Sequence, residues 1–221
     1  MASDPAQPLI AVVIPAFNEE SLIFKVVEAV KQYAEPIVVD DGSHDLTGQL
    51  AKLAGAIVVA HSHNQGYDAA LETGLFKAIE LGFSFAITID ADGQHNPASI
   101  AAFKISLLQG ADLVVGVRNK HQRLSESLFA AVGKCLWKIS DPLCGMKGYK
   151  LSHLSRLGYF DSYKSIGTEF ASRCARSELR IDSVPVITRE RPGNSRFGAG
   201  LKAEFRILRA MVIGIVRTKE L

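Results

Sequence analysis

Five short apolar runs constrain the fold of this chain more than any other feature: Leu9–Ile14, Pro36–Asp40, Ala56–Ala60, Phe83–Ile89 and Asp112–Arg118. Runs of this length without polar alternation read as strands covered on both faces. Helical stretches separate them. Glu19–Tyr33 carries Leu22, Val26, Val27 and Val30 on one stripe, with acids expected in its first turn. Leu46–Leu53 is a second helix, a third runs from the 61–68 segment to near Leu81, and a fourth runs from near Pro97 to near Gln109. This alternation over residues 9–118 predicts an α/β chain with a doubly wound, mostly parallel sheet.

Several of these strands end in charge. In an extended segment residues i and i+2 point to the same side, so Asp90 and Asp92 of Thr88-Ile-Asp-Ala-Asp-Gly-Gln-His95 can aim both carboxylates at one point beyond the strand. Such a pair repels itself unless a cation lies between, and a hard divalent ion carrying phosphate oxygens suits it. The competing reading is a polar strand end in which Asp92-Gly93 simply starts a turn. Asp40-Asp41-Gly42-Ser43 repeats the acidic ending on a neighbouring strand, and Arg118 ends the fifth. Open α/β sheets bind ligands outside the carboxyl ends of their strands.

Two common nucleotide fingerprints are missing. The first strand runs into Pro15-Ala-Phe-Asn-Glu-Glu20 without glycine, where a dinucleotide fold needs a Gly-rich turn, and no GxxxxGK[ST] occurs. Three cysteines without CxxC spacing, Cys135, Cys144 and Cys174, argue against a disulfide framework or structural zinc and for a reducing cytosol. His61 and His63 are spaced as ligands can be, but no third His or Cys lies near in sequence, which favours a polar loop. Gly66 at a helix entrance permits close backbone approach to a ligand. Residues 1–8 read as a disordered lead-in, and no run of apolar residues is long enough to span a bilayer.

Beyond Arg118 the alternation stops. Asn119–Ser127 is polar, Leu128–Ile139 is an apolar helix, and Asp141-Pro-Leu-Cys-Gly-Met-Lys-Gly-Tyr149 is a turn leading to a short strand or hairpin edge. Thr168–Ser177 reads as a helix with Thr168 as cap and Glu169 in the first turn. Ile181–Thr188 is a strand whose Pro185 places it at an edge. Residues 189–221 carry a local charge of +5, against −3 for residues 1–188, which suits phosphates or an anionic bilayer. Leu201–Val216 is an amphipathic helix that either lies in a membrane interface or docks on the core or a second subunit.

Pro15-Ala-Phe-Asn-Glu19, Val38-Val-Asp-Asp-Gly-Ser43, Asn64-Gln-Gly66, Asp90-Ala-Asp-Gly-Gln94 and Asp141-Pro-Leu-Cys-Gly145 occur in this order. Together they resemble the family-2 glycosyltransferases of GT-A fold, in particular the branch that glycosylates polyprenyl phosphates, over residues 9–197. The resemblance implies a donor-binding half (9–118), an acceptor-side half (119–197) and an amphipathic C-terminal helix (198–221). It assigns Pro15, Phe17, Glu19, Val39, Asp41 and Ala91 to the donor's base, ribose and diphosphate. Asp90, Asp92 and Gln94 would hold Mg²⁺ or Mn²⁺, and Arg118 would meet the donor phosphates. Asp141 would line the acceptor side, with Lys147 and the Arg189, Arg191, Arg196 loop at the acceptor phosphate. Lys147 departs from the family's frequent arginine, trading a bidentate fork for a point charge, and the Arg191–Arg196 spacing is one residue tighter than usual.

The activity so implied is inverting transfer of one sugar from a UDP- or GDP-sugar to a polyprenyl phosphate, at the cytoplasmic face of a membrane, with no nucleic acid involved and an oligomer or membrane subunit as a further partner. The alternative acceptor is a sugar hydroxyl, which needs a carboxylate base: Asp141 first, Glu169 second. A non-catalytic nucleotide-sugar-binding subunit would not need two repelling carboxylate pairs. A sugar-1-phosphate nucleotidyltransferase would want a Gly-rich basic loop after the first strand.

Overall fold

The computed structural model describes residues 9–119, 123–189 and 201–216, the last stretch with side chains from 204 onward. The lead-in 1–8 and the loop arginines Arg191 and Arg196 lie outside the described residues. The seven strands are β1 (Ile10–Ala16), β2 (Glu35–Asp40), β3 (Ile57–Ala60), β4 (Phe85–Thr88), β5 (Leu113–Arg118), β6 (Lys147–Lys150) and β7 (Ile181–Val186), in one sheet of order β3-β2-β1-β4-β6-β5-β7. All pairings are parallel except those of β6, which runs antiparallel to both β4 and β5.

Strands β1, β2, β4 and β5 are largely buried on both faces, as their lack of alternation requires, whereas β3, also an apolar run, lies at the sheet edge and is only half-buried. On one side Val12, Ile14, Val38, Ile87 and Val114 pack under α1 (Ile23–Lys31), α2 (Thr47–Leu53) and α4 (Ile100–Leu108). On the other, Ala11, Val13, Ile37, Ala86, Leu113 and Val115 pack under α3 (Tyr67–Glu80), α5 (Leu124–Trp137), α6 (Leu151–Leu157), α7 (Glu169–Arg176) and α8 (Leu201–Val216). The doubly wound, mostly parallel sheet expected from the alternation is present, and β7 with Pro185 sits at its edge.

Several local expectations are corrected. Glu19 and Glu20 precede α1, whose first turn contains no acid. The segment instead folds as a turn in which Leu22 and Ile23 donate to the Glu19 carbonyl and Thr47 Oγ1 accepts from Glu19 N–H. The apolar helix begins at Leu124, four residues before the apolar run, because its first turn buries Ser125 and Glu126 rather than aliphatic groups. The segment after the 141–145 turn is no hairpin edge: β6 is the strand between β4 and β5. Helix α6 follows it directly and was not anticipated. Thr168 does not cap α7; its hydroxyl donates to the Ser165 carbonyl, and Ser165 Oγ accepts from Glu169 N–H.

Carboxylates shape the 160–169 loop. Asp161 accepts from the N–H groups of Tyr163, Ser165 and Gly167, Glu72 from Phe160 and Asp161, and Glu169 from Ser162 and Arg173. Glu169 is thereby a loop anchor. Asp68, in the first turn of α3, accepts from Ile166 N–H while its Oδ1 is buried without a partner. Burial, and then the Asp161 charge, push its carboxyl up to about 6. A raised folded-state pKa means the native chain holds this proton more tightly than the unfolded one. Stability therefore falls as pH rises from the ordinary 3.8 to about 6 and stays lowered above that. Asp68→Asn keeps an acceptor for Ile166 and removes the charge. It is expected to raise the thermal midpoint by roughly a few degrees at neutral pH, a gain that shrinks as pH is lowered through that window. A calorimetric pH series checks both parts.

Candidate active site

The parallel strands deliver their carboxyl ends to one edge of the sheet, and the reversed β6 begins there, since Lys147 pairs with both Thr88 and Val115. A cleft of about 800 Å³ opens at this edge. One wall consists of Pro15, Ala16, Phe17 and Glu19 at and after the end of β1, Asp41 after β2, and Asp90, Ala91, Asp92, Gln94 and His95 after β4. Arg118, Arg123, Glu126, Lys147, Ile166 and Arg206 line it as well, so carboxylates and cations share one space. The sequence-derived residues thus converge, with one exception among the donor contacts. Val39 is fully buried inside β2, packed toward Gly74 of α3, because its side chain points into the sheet's core rather than to the cleft.

Asp90 is held from three sides. Tyr67 OH donates to Oδ1 at 3.1 Å, and His95 Nε2 lies 3.2 Å from Oδ2. Gly145 supplies the third constraint, since a Cβ there would overlap the Asp90 carboxylate. Burial opposes the Asp90 charge, but the His95 hydrogen bond and charge, the Tyr67 hydroxyl and the Lys147 charge together hold its carboxyl below the usual range. Asp92, 8% exposed, accepts from Gln94 N–H at 3.1 Å. Gln94 is zipped to the segment after β7: its carbonyl accepts from Arg189 N–H at 2.8 Å, and its Nε2 donates to the Arg189 carbonyl. Arg189 is therefore tied by its backbone to the acidic loop, while the residue itself is exposed.

The donor set suits a hard divalent ion. Asp90 and Asp92 offer carboxylate oxygens, and among the described residues no group of three or more His, Cys, Asp or Glu gathers as ligands. Mg²⁺ in particular is commonly held by one or two carboxylates and completes its shell with substrate phosphates and water.

Asp41 is less a free contact than a clamp. Its Oδ1 lies 2.7 Å from His61 Nδ1 and 2.8 Å from Gln65 N, and its Oδ2 accepts from Gly66 N at 2.8 Å. This draws the entrance of α3 onto the end of β2, and Gly66, with φ of 98°, makes the bend without strain. His61 Nε2 is occupied by Thr73 Oγ1, so this imidazole is structural.

On the cation side, Arg118 donates from Nε and Nη2 to the two oxygens of Asp141 (2.7 and 2.9 Å), and its backbone N–H also reaches Asp141. Arg118 Nη1 lies 3.3 Å from Glu126 Oε2, and Arg123 shares the other Glu126 oxygen at 3.2 Å. Burial works against the Arg118 charge, but the Asp141 hydrogen bonds and charge more than offset it and raise its pKa. Asp141 is 1% exposed, is not among the residues that line the cleft, and has both oxygens on Arg118. Lys147 Nζ donates to the Cys144 carbonyl at 2.8 Å, and burial lowers its pKa despite nearby Asp141 and Asp90.

Sequence reasoning did not single out Tyr67, His95, Arg123, Glu126 or Arg206. Tyr67 and His95 adjoin motif residues and could have been flagged by adjacency. Glu126 lay hidden because the helix start was placed too late, and Arg206 is brought in only by tertiary packing.

A doubly wound sheet with acidic strand ends, an Asp90–Asp92 pair and a cluster of cations thus meet in one cleft. Residues 11–150 match the family described as glycosyl transferase family 2, and the chain belongs to that family. An uncharacterized protein of Methanocaldococcus jannaschii is 32% identical over 223 residues, covering 92% of this chain and 91% of that protein. The UDP-N-acetylglucosamine–dolichyl-phosphate N-acetylglucosaminyltransferase of Methanococcus voltae is 37% identical over 138 residues, 53% of this chain and 55% of its own length. The crystal structure of glucosyl-3-phosphoglycerate synthase from Mycobacterium tuberculosis, in complex with Mn²⁺, uridine diphosphate and glucosyl-3-phosphoglycerate, superposes with a TM-score of 0.75 at 22% identity. That match covers 95% of this chain and 80% of that one. The fold is the GT-A fold that the motifs implied.

If Asp141 works by orienting Arg118, Asp141→Asn and Arg118→Ala should be strongly non-additive in a double-mutant cycle. Each single change should destabilise the protein by about 3–5 kcal/mol, since it leaves a buried charge without its partner. Additive losses in denaturant titrations would assign Asp141 a separate role.

Proposed function

We propose that the protein is a divalent-metal-dependent, inverting glycosyltransferase that moves one sugar from a nucleoside diphosphate sugar to the phosphate oxygen of a polyprenyl phosphate. The observation that carries this reading is the polarity of the cleft. Asp90 and Asp92 stand at the end of β4, while Arg118, Arg123, Lys147 and Arg206 line the same cleft. A bound Mg²⁺ or Mn²⁺ would supply positive charge to the donor diphosphate, with Asp90 and Asp92 as its protein ligands and Gln94 beside them. The acceptor oxygen attacks the anomeric carbon as the bond from that carbon to the diphosphate oxygen breaks, and the electron pair leaves with the nucleoside diphosphate. A phosphate acceptor is already anionic, so no protein base is required, consistent with an Asp141 fully engaged by Arg118. Tyr67 and His95 keep Asp90 in place, and Phe17, Glu19 and the Asp41-clamped loop form the nucleotide end of the cleft. The Methanococcus relative named for transfer to dolichyl phosphate supports the lipid acceptor.

A small phosphate-bearing acceptor is a second reading, favoured by the fold neighbour crystallised with glucosyl-3-phosphoglycerate. The surface favours the lipid. Eight of the fifteen exposed large hydrophobics among the described residues lie on α5 and α8: Leu124, Leu128, Leu136, Phe205, Leu208, Val212, Ile215 and Val216. No helix among the described residues is long and apolar enough to cross a membrane. The exposed apolar side chains of α8, Phe205, Leu208, Val212, Ile215 and Val216, fit peripheral contact with a lipid surface.

Incubation with a panel of UDP- and GDP-sugars and polyprenyl phosphate in anionic liposomes, with and without Mn²⁺, should yield a metal-dependent lipid-linked sugar. Asp92→Asn should reduce turnover by roughly 100-fold or more with an unchanged melting profile. Absence of metal-dependent binding to every sugar nucleotide would sink the proposal. Leu208→Asp with Val212→Asp should release the protein from anionic liposomes in a flotation assay while leaving nucleotide binding intact.

A further inference from the structure

The cleft wall is not polar throughout. Tyr67 of α3, Leu143 in the turn before β6, Ile166 of the 160–169 loop and Ile207 of α8 also line it. All four belong to the apolar cluster on the α3 face of the sheet. Four separate segments thus bring hydrocarbon into a cleft that also holds Arg118 and Lys147.

Ile166 stands there in a strained conformation. Its φ of 62° lies in the left-handed region, where a β-branched side chain crowds the backbone. Carboxylates impose this geometry. Asp161 accepts from the N–H groups of Ser165 and Gly167 on either side, and Asp68 Oδ2 from that of Ile166 itself at 3.4 Å. These bonds need only the backbone, so glycine or asparagine at this position would make them with less strain. The chain instead sets a half-buried isoleucine in the cleft wall. Strained residues fixed by their surroundings cluster at ligand sites.

Resting on the functional reading above, we propose that Leu143, Ile166 and Ile207 form an apolar subsite for the isoprene units next to the acceptor's phosphate. Ile166 is its specificity-determining residue. The complementarity is that of an amphiphile: Arg118 and Lys147 offer charge to anionic oxygen, and the hydrocarbon wall covers the chain attached to it. A small hydrophilic phosphate takes no apolar surface out of water against this wall and gains nothing from it. Helix α8 carries both surfaces, with Ile207 in the cleft and Phe205, Leu208 and Val212 exposed outside. An isoprenyl chain too long for the cleft can therefore continue along the same helix.

The test uses the full chain with Mn²⁺ and UDP present, titrated calorimetrically with farnesyl phosphate, phosphoglyceric acid and inorganic phosphate in separate runs. The wild type should bind farnesyl phosphate more tightly than either soluble phosphate. Ile166→Asn keeps the N–H group and suits the left-handed backbone while removing the hydrocarbon. It should weaken farnesyl phosphate binding about tenfold, with Mn²⁺–UDP affinity unchanged and a thermal midpoint no lower than that of the wild type. Ile166→Gly should behave alike, and Ile166→Val should keep most of the affinity. A wild type that binds the three phosphates equally, or none of them, would overturn the subsite. So would unaltered farnesyl phosphate affinity in both the Asn and Gly variants, an equal loss of Mn²⁺–UDP affinity, or a fall in thermal midpoint accompanying the loss in both. Sugar transfer to phosphoglyceric acid that is indifferent to Ile166 would leave the transferase standing and remove the isoprenyl subsite. Should farnesyl phosphate binding depend on Ile166 while no sugar nucleotide is ever turned over, the functional reading falls and the subsite stands.

Discussion

The buried guanidinium of Arg118 is the pin on which the cation-bearing side of the cleft depends. It ends β5, clasps both oxygens of Asp141 at the start of the turn leading to β6, and faces Glu126 in the first turn of α5. Three separate chain segments are thereby fixed to one planar cation. With most of its fork engaged by protein carboxylates, Arg118 sets the framework of the cleft and leaves later segments to supply further charge. Glu126 extends the frame to Arg123, and Ser125 beside it extends the frame to α8 through Glu204.

The carboxylate-bearing wall follows a different logic. There, like charges are tolerated because each carboxylate has its own local support. Asp41 is satisfied by backbone N–H groups and an imidazole, and Asp90 by a phenol, an imidazole and the space left by a missing side chain at Gly145. Preorganised carboxylates of this kind need not move when a cation and diphosphate arrive, so little of the binding energy is spent on ordering the protein.

Much of this was legible in the sequence where one physical cause dominated. Uninterrupted apolar runs disclosed β1, β2, β4 and β5, since only strands covered on both faces need them. The pairs Asp40-Asp41 and Asp90–Asp92 disclosed the cleft edge, because charge at the end of such a run has few structural uses. β6 was read as peripheral because Lys-Gly-Tyr-Lys looks like surface, although Lys147, Gly148 and Tyr149 are buried by neighbours distant in sequence. The start of α5 was misplaced because polar Ser125 and Glu126 are buried by ion pairing rather than by hydrophobicity. Arg206 was passed over, since nothing local distinguishes a cleft-lining arginine from any other on an amphipathic helix.

The reversed strand has a consequence for how the chain acquires its structure. β4 and β5 are consecutive strands along the chain but are not bonded to each other; β6 fills the slot between them. Residues 9–118 therefore cannot complete their own sheet. β4 would keep an open edge and β5 would have no partner at all, since both neighbours of β5, the strands β6 and β7, come later in the chain. The sheet closes only when residues 147–150 bridge β4 to β5. A growing chain on the ribosome has no finished sheet to release until the strands bearing Lys147 and Val184 have emerged.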